Sequence, residues 1–146
     1  MHESKSEASL GQQQLLLIIL TVIIVAAAVY LGIILFTDNS VSQNRAAMMN
    51  DLTAIAQRAR QYYMKPTYYG GGGRSFEGLD EAAGMTKLAT SKFIDNDNGT
   101  YSIKTAGTAT VVVFHGVGKK ALGDGVDYPE YDCTVTATDL TMERVK

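Results

Sequence analysis

Between Leu15 and Phe36 the chain reads LLLIILTVIIVAAAVYLGIILF, with no charged residue and no proline. That stretch narrows the choices more than anything else in the sequence. At ~1.5 Å rise per residue it makes about 33 Å of helix, against a membrane hydrocarbon thickness of about 30 Å. It is apolar all round rather than along one stripe, so inside a soluble domain it would need apolar neighbours on every side. The chain has 146 residues. Setting the helix aside leaves roughly 80 residues, a size at which a core is marginal and cannot surround such a helix. A secretory signal has a shorter apolar run, about 7–15 residues, closed by small residues. This run is longer and closes on Ile33 to Phe36. The expectation is insertion of the segment into a membrane.

The helical pattern continues past Phe36. Thr37, Asp38, Asn39 and Ser40 are candidates for a bend. Beyond them Ala46, Met49, Leu52, Ile55 or Ala56, Ala59 and Tyr62 or Tyr63 recur every three or four positions. Arg45, Asn50, Asp51, Gln57, Arg58 and Gln61 fill the opposite face. Neither Pro nor Gly falls between Gly32 and Lys65; Pro66 and the run Gly70 to Gly73 end the pattern. The spacing predicts a single helix from about Leu15 to Tyr63, roughly 70 Å long. Its first half is apolar all round and its second half amphipathic. A coiled coil is disfavoured because the second half is short and lacks an e/g charge pattern.

The remainder is polar and rich in Gly and Thr. Ser75 is a plausible cap for a short helix reaching about Ala89, weakened by Gly78 and Gly84. Strand signals follow: Tyr101 to Ile103 after an Asn98-Gly99 turn, Thr108 to Phe114, Cys133 to Ala137, and Leu140 to Arg144 at the edge. Turns are expected at Ala106-Gly107, from Gly116 to Gly125 and at Asp139. The fold class is therefore α+β, a long N-terminal helix packed on a small C-terminal antiparallel sheet of three or four strands. Cys133 is the sole cysteine, which excludes an internal disulfide and suits a small buried strand residue.

The formal net charge of -2 and a pI near 5.6 argue against a nucleic-acid surface. No catalytic constellation assembles from the pattern: His2 and His115 are far apart in the chain, and no Ser-His-Asp or Cys-His spacing is present. The GGGGR run from Gly70 to Arg74 lacks the Gly-Lys-Ser/Thr ending of a phosphate loop and reads as a flexible or tightly turned connector. Asp95 to Gly99 looks like half an EF-hand loop, but Ala106 stands at its twelfth place. Asp124, Asp127, Glu130 and Asp132 crowd a Gly-rich loop, either as a calcium site or as solvated turn residues. Asn98-Gly99-Thr100 fits a glycosylation sequon, which short sequences also match by chance. Tyr62, Tyr63, Tyr68 and Tyr69 cluster at the junction of helix and head and read as packing residues.

The start of the chain, MHESKSEASLG followed by QQQLLLIIL, resembles the class III signal of type IV prepilins. A short polar leader ends in Gly11, and the apolar helix follows within a few residues. The resemblance covers Gly11 to about Tyr63. It implies a leader at 1–11, cut between Gly11 and Gln12 by a prepilin peptidase, an apolar helix at 12–36, an amphipathic continuation at 37–65 and a β-rich head at 66–146. It further implies a structural, non-enzymatic subunit without a cofactor. Such a subunit is cytoplasmic or held in the inner membrane as a precursor, is handled by an assembly platform and polymerises into an extracellular type IV pilus-like filament of adhesive or related use. Leu15, Leu16, Ile19, Ile23, Ala27, Gly32 and Phe36 would then line the filament core. Pseudopilins of type II secretion hold calcium in a loop comparable to 124–132. Most bacterial pilins carry Phe after the cut and glutamate five residues in; Gln12 and Leu16 stand at those places here. A pseudopilin or minor pilin, and an uncleaved single-span protein with a binding head, are the alternative readings.

Overall fold

The computed structural model describes residues 3–123 and 125–146. In chain order it contains α1 (Glu3–Met64), a 3-10 turn (Thr67–Tyr69), α2 (Glu81–Leu88), α3 (Ser91–Ile94), β1 (Gly99–Thr105), β2 (Val111–Gly118), β3 (Glu130–Thr136) and β4 (Leu140–Arg144). The class is α+β, as expected, and the described residues fall into two compact units that divide between Asn39 and Ser40.

The first unit is helical from Glu3, not from about Leu15. The physical reason is propagation. Nucleation is the costly step, and once the apolar segment is helical each added residue costs little. Glu3 to Leu10 contain no proline or glycine to stop it. Thr37 to Ser40 are also helical. Thr37 donates its hydroxyl to the Ile33 carbonyl at 3.0 Å, and Thr21 does the same to Ile18 at 2.8 Å, so these polar groups are satisfied inside the helix.

In the second unit α1 buries Val41, Asn44, Met48, Leu52, Ile55, Ala56 and Ala59. Two expected stripe positions, Ala46 and Met49, are exposed instead. Glycines on the facing strand decide which face packs. A β-carbon at Gly118 would lie 2.6 Å from Asn44 Oδ1 and 2.8 Å from Met48 Sδ, and one at Gly116 would lie 3.3 Å from Leu52 Cδ1. The groove left by these missing side chains receives the Asn44–Met48–Leu52 face.

Among the described residues the strands form one antiparallel sheet in the order β1-β2-β3-β4. The register stacks its inner face in rows. Ile103, Phe114, Cys133 and Met142 form one; Val112, Val135 and Leu140 form another. In a third, Tyr101 and Tyr131 flank Gly116, so the glycine leaves room for the Tyr101 ring. These side chains join Phe76, Leu79, Met85 and the α1 stripe in the core.

Three local expectations change. β2 starts at Val111 rather than Thr108, because the Thr108 hydroxyl accepts from the Val111 amide at 3.2 Å in a turn. It runs through Gly116 and Gly118, which were expected to be turn residues. The short helix starts at Glu81, not at Ser75; the Ser75 hydroxyl instead accepts from the Glu77 amide at 3.1 Å. The Gly70–Gly73 run is the tight connector. Gly72 and Arg74 donate their amides to the Tyr62 and Tyr63 carbonyls, each at 2.7 Å, and Gly73 donates to Lys65 at 2.9 Å. These bonds satisfy carbonyls that the end of a helix leaves open. A side chain could not follow the same path: a β-carbon at Gly71 would meet the Lys65 carbonyl oxygen at 2.1 Å.

Candidate functional site

The most unusual surface is the first half of α1. Every described side chain from Ser6 to Asn39 is exposed, including Leu15, Leu16, Ile19, Ile23, Ala27, Gly32 and Phe36. Leu16 is 65% and Phe36 76% accessible. The exposure runs around the helix rather than along one side, since it includes consecutive residues such as Leu15 to Leu20. This is one helix long and apolar enough to cross a membrane, which suits a membrane anchor or a signal sequence. Soluble monomers rarely expose contiguous apolar patches beyond a few hundred Å².

Gly11 and Gln12 lie within α1, both exposed. A β-carbon at Gly11 would have nothing within 4 Å. The fold therefore sets no steric demand for glycine there. Gly32 is equally open, so neither glycine serves packing inside the chain itself.

Of the acidic stretch, Asp124 lies outside the described residues. Asp127 pairs with Lys146 at 3.2 Å. Glu130 lies 4.0 Å from Lys146 and 3.9 Å from His115 Nε2. Asp132 accepts from Lys104 and sits 2.6 Å from His115 Nδ1. Glu130 and Asp132 share the outer face of the sheet; Lys104 and His115 occupy the Asp132 oxygens, whereas the basic groups nearest Glu130 stand 3.9 and 4.0 Å away. Among the described residues no group of three or more His, Cys, Asp or Glu converges as metal ligands do. For Asp132, burial works to raise the carboxyl pKa, but hydrogen bonds and charge from Lys104 and His115 outweigh it, so the carboxyl lies below its ordinary value.

Asn98 is half-buried, and its side-chain amide donates to Asp51 Oδ2 at 3.0 Å. Any modification at Asn98 would have to accommodate that bond. The same Asp51 oxygen accepts from Asn96 Nδ2 at 2.9 Å and from the Tyr101 hydroxyl at 2.8 Å. Asn96 Oδ1 in turn accepts from the backbone amides of Asn98 and Gly99 at 2.9 and 3.0 Å. Asp51 therefore pins the 95–99 turn onto α1. Burial, then Asp51, drives the Tyr101 hydroxyl pKa far above its ordinary value. From sequence Asp51 sits on the polar face of the helix; the clue to its role was the density of amide donors in Asn96-Asp97-Asn98.

Cys133 is fully buried, and burial pushes its thiol pKa up to about 11, while Arg60 opposes the shift. That suits an unreactive core residue. Tyr63 packs on Phe76 with ring centroids 4.8 Å apart, and Tyr62 donates its hydroxyl to the Glu77 carbonyl at 2.9 Å. Tyr68 and Tyr69 remain exposed, their rings 4.3 Å apart. No family model matches the chain, and no curated protein or solved structure matches it significantly.

Proposed function

We propose that the chain is a structural, non-enzymatic subunit of a type IV pilus-like filament. In this reading it is held in the inner membrane as a precursor, cut after Gly11, and polymerised outside the cell through the helix that begins at Gln12. One observation carries the reading: the apolar residues of α1 are exposed all round from Leu15 to Phe36, whereas from Val41 onward the same helix covers its own sheet. Burying a Leu, Ile or Phe side chain gives about 1.5–3 kcal/mol each, so a helix of this kind, once out of a bilayer, is driven into a bundle of its own kind. A repeated contact that does not close on itself makes a helical polymer. Ala26, Ala27, Ala28 and Gly32 supply the small side chains that let helices approach closely. The open space around Gly11 is in keeping with a glycine required by processing rather than by folding.

A second reading is an uncleaved single-span protein with a binding head. It is favoured by the unbroken helix through Gly11, which joins the leader to the apolar segment. Mass spectrometry of the N-terminal peptide separates the two. A mature chain starting at Gln12 in the extracellular fraction is expected. An intact Met1 in every fraction would discard the filament reading in favour of the anchor.

A further inference from the structure

A separate site lies beside the end of α1. A cavity of about 340 Å³ is lined by Arg58, Gln61, Tyr62, Lys65, Lys87 and Leu88 among others. Three of its residues are cations, and among the described residues none of the three forms an ion pair. Two of them are fixed in place by neutral partners. Arg58 donates to the Leu88 carbonyl at 3.3 Å, and its guanidinium lies 4.5 Å from the centre of the Phe93 ring. Lys87 donates to the Gly78 carbonyl at 2.6 Å, and its ammonium lies 6.0 Å from the centre of the Tyr62 ring. Such contacts orient a cation without neutralising it, and both groups keep further N–H donors to offer.

Basic residues near a helix C-terminus commonly answer its partial negative charge. That demand is small here, because the Tyr62, Tyr63 and Lys65 carbonyls already accept amides from Gly72, Arg74 and Gly73. Like charges gathered on one concavity repel each other unless an anion joins them. The cavity is near the lower end of the ~300–1,000 Å³ range of small-molecule sites. Its walls combine cations with the Tyr62 ring and Leu88. We infer that this cavity binds a small ligand bearing an oxyanion, carboxylate or phosphate, on a carbon skeleton of about monosaccharide size. The oxyanion meets Arg58, Lys65 and Lys87, and the skeleton lies against Tyr62. The inference does not depend on the filament reading, since every residue it uses belongs to the head unit.

The test is titration calorimetry on the full chain in a nonionic detergent at low salt, with glucuronate, glucose 6-phosphate and neutral glucose as probes. At least one acidic sugar is expected to bind and glucose is not; which acid binds separates carboxylate from phosphate recognition. A Lys65→Gln/Lys87→Gln pair should weaken binding at least tenfold, with an unchanged circular dichroism spectrum. A charge-matched Lys120→Gln/Arg144→Gln pair, at exposed positions away from the cavity, should change it less than twofold. Silence with both acids, equal binding of glucose, or equal weakening by the two variant pairs would overturn the inference.

Discussion

Asp51 shows how much of the head hangs on a residue whose role depends on partners far along the chain. Its Oδ2 takes hydrogen bonds from Asn96, Asn98 and Tyr101, which lie 45, 47 and 50 positions away. The Tyr101 side chain is among the largest that are fully buried, so removing Asp51 takes from its hydroxyl the acceptor that holds it. A buried unsatisfied polar group costs about 1–3 kcal/mol, and hydrogen bonds to charged groups are worth about 1.5–3 kcal/mol. Asp51→Ala is therefore expected to destabilise the head by about 2–4 kcal/mol. Tyr101→Phe should cost less, and a double-mutant cycle should give a coupling above about 0.5 kcal/mol. Urea denaturation measures all three; additive single effects would mean that the two residues do not act together. A single sequence did not reveal this. A carboxylate on a helix reads as solvated unless its partners are known, and helical period says nothing about a loop 45 residues on. Cys133, by contrast, was legible as a buried strand residue, because it alternates with threonines in a short β-rich segment.

At the scale of elements, the four strands were readable from alternation and turn residues, and β4 falls on the expected Leu140 to Arg144. Glycine was the obstacle. Gly116 and Gly118 look like turn residues in isolation; in the fold they are strand positions emptied for Tyr101, Leu52 and Met48. The choice of α1 face depends on those same glycines, which is why Met48 is buried where the periodicity favoured Met49. The outer face of the sheet makes a separate prediction. Asp132, between Lys104 and His115, has a lowered pKa. A carboxylate depressed in the folded state adds stability that is present above its unfolded value, about 3.9, and is lost as pH falls through the lower folded value. Asp95 is lowered too, first by its hydrogen bond to Lys119 and then by that to Thr100, but it is fully solvated and contributes little. The head should thus lose stability below about pH 4. Asp132→Asn should be less stable at pH 7 and show a shallower loss between pH ~4 and ~2. Denaturation curves at several pH values test this; identical acid slopes in the two proteins would remove Asp132 from the account.

The whole molecule divides into a helical unit whose described side chains from Ser6 to Asn39 are exposed and a head unit with its own core, and the two parts should behave separately. A truncated chain beginning at Ser40 keeps the buried α1 stripe, the sheet and every hydrogen bond around Asp51. It is expected to be soluble and monomeric by analytical ultracentrifugation; filaments formed by it would place assembly in the head. If the apolar helix instead drives assembly, the cohesion of the polymer has a definite chemical character. From Gln12 to Phe36 the side chains carry no carboxylate, ammonium, guanidinium or imidazole. Leu16 stands where the resemblance would place a glutamate, so no side-chain carboxylate can pair across subunits there. The amides of Gln12, Gln13 and Gln14 offer hydrogen bonds that do not titrate between about pH 5 and 8. What remains is apolar burial and close packing at Ala26 to Ala28 and Gly32. Salt screens ion pairs over a distance of about 10 Å at 0.1 M but does not weaken burial, and sulfate or phosphate strengthens it. Filaments should therefore persist from low salt to about 1 M NaCl and down to about pH 5, above the range in which Asp132 begins to protonate. Electron microscopy and sedimentation across that grid make the measurement. Prompt dissociation in salt or at pH 5 would mean that charged contacts between heads hold the polymer. The exposed helix would then be a membrane anchor rather than its core.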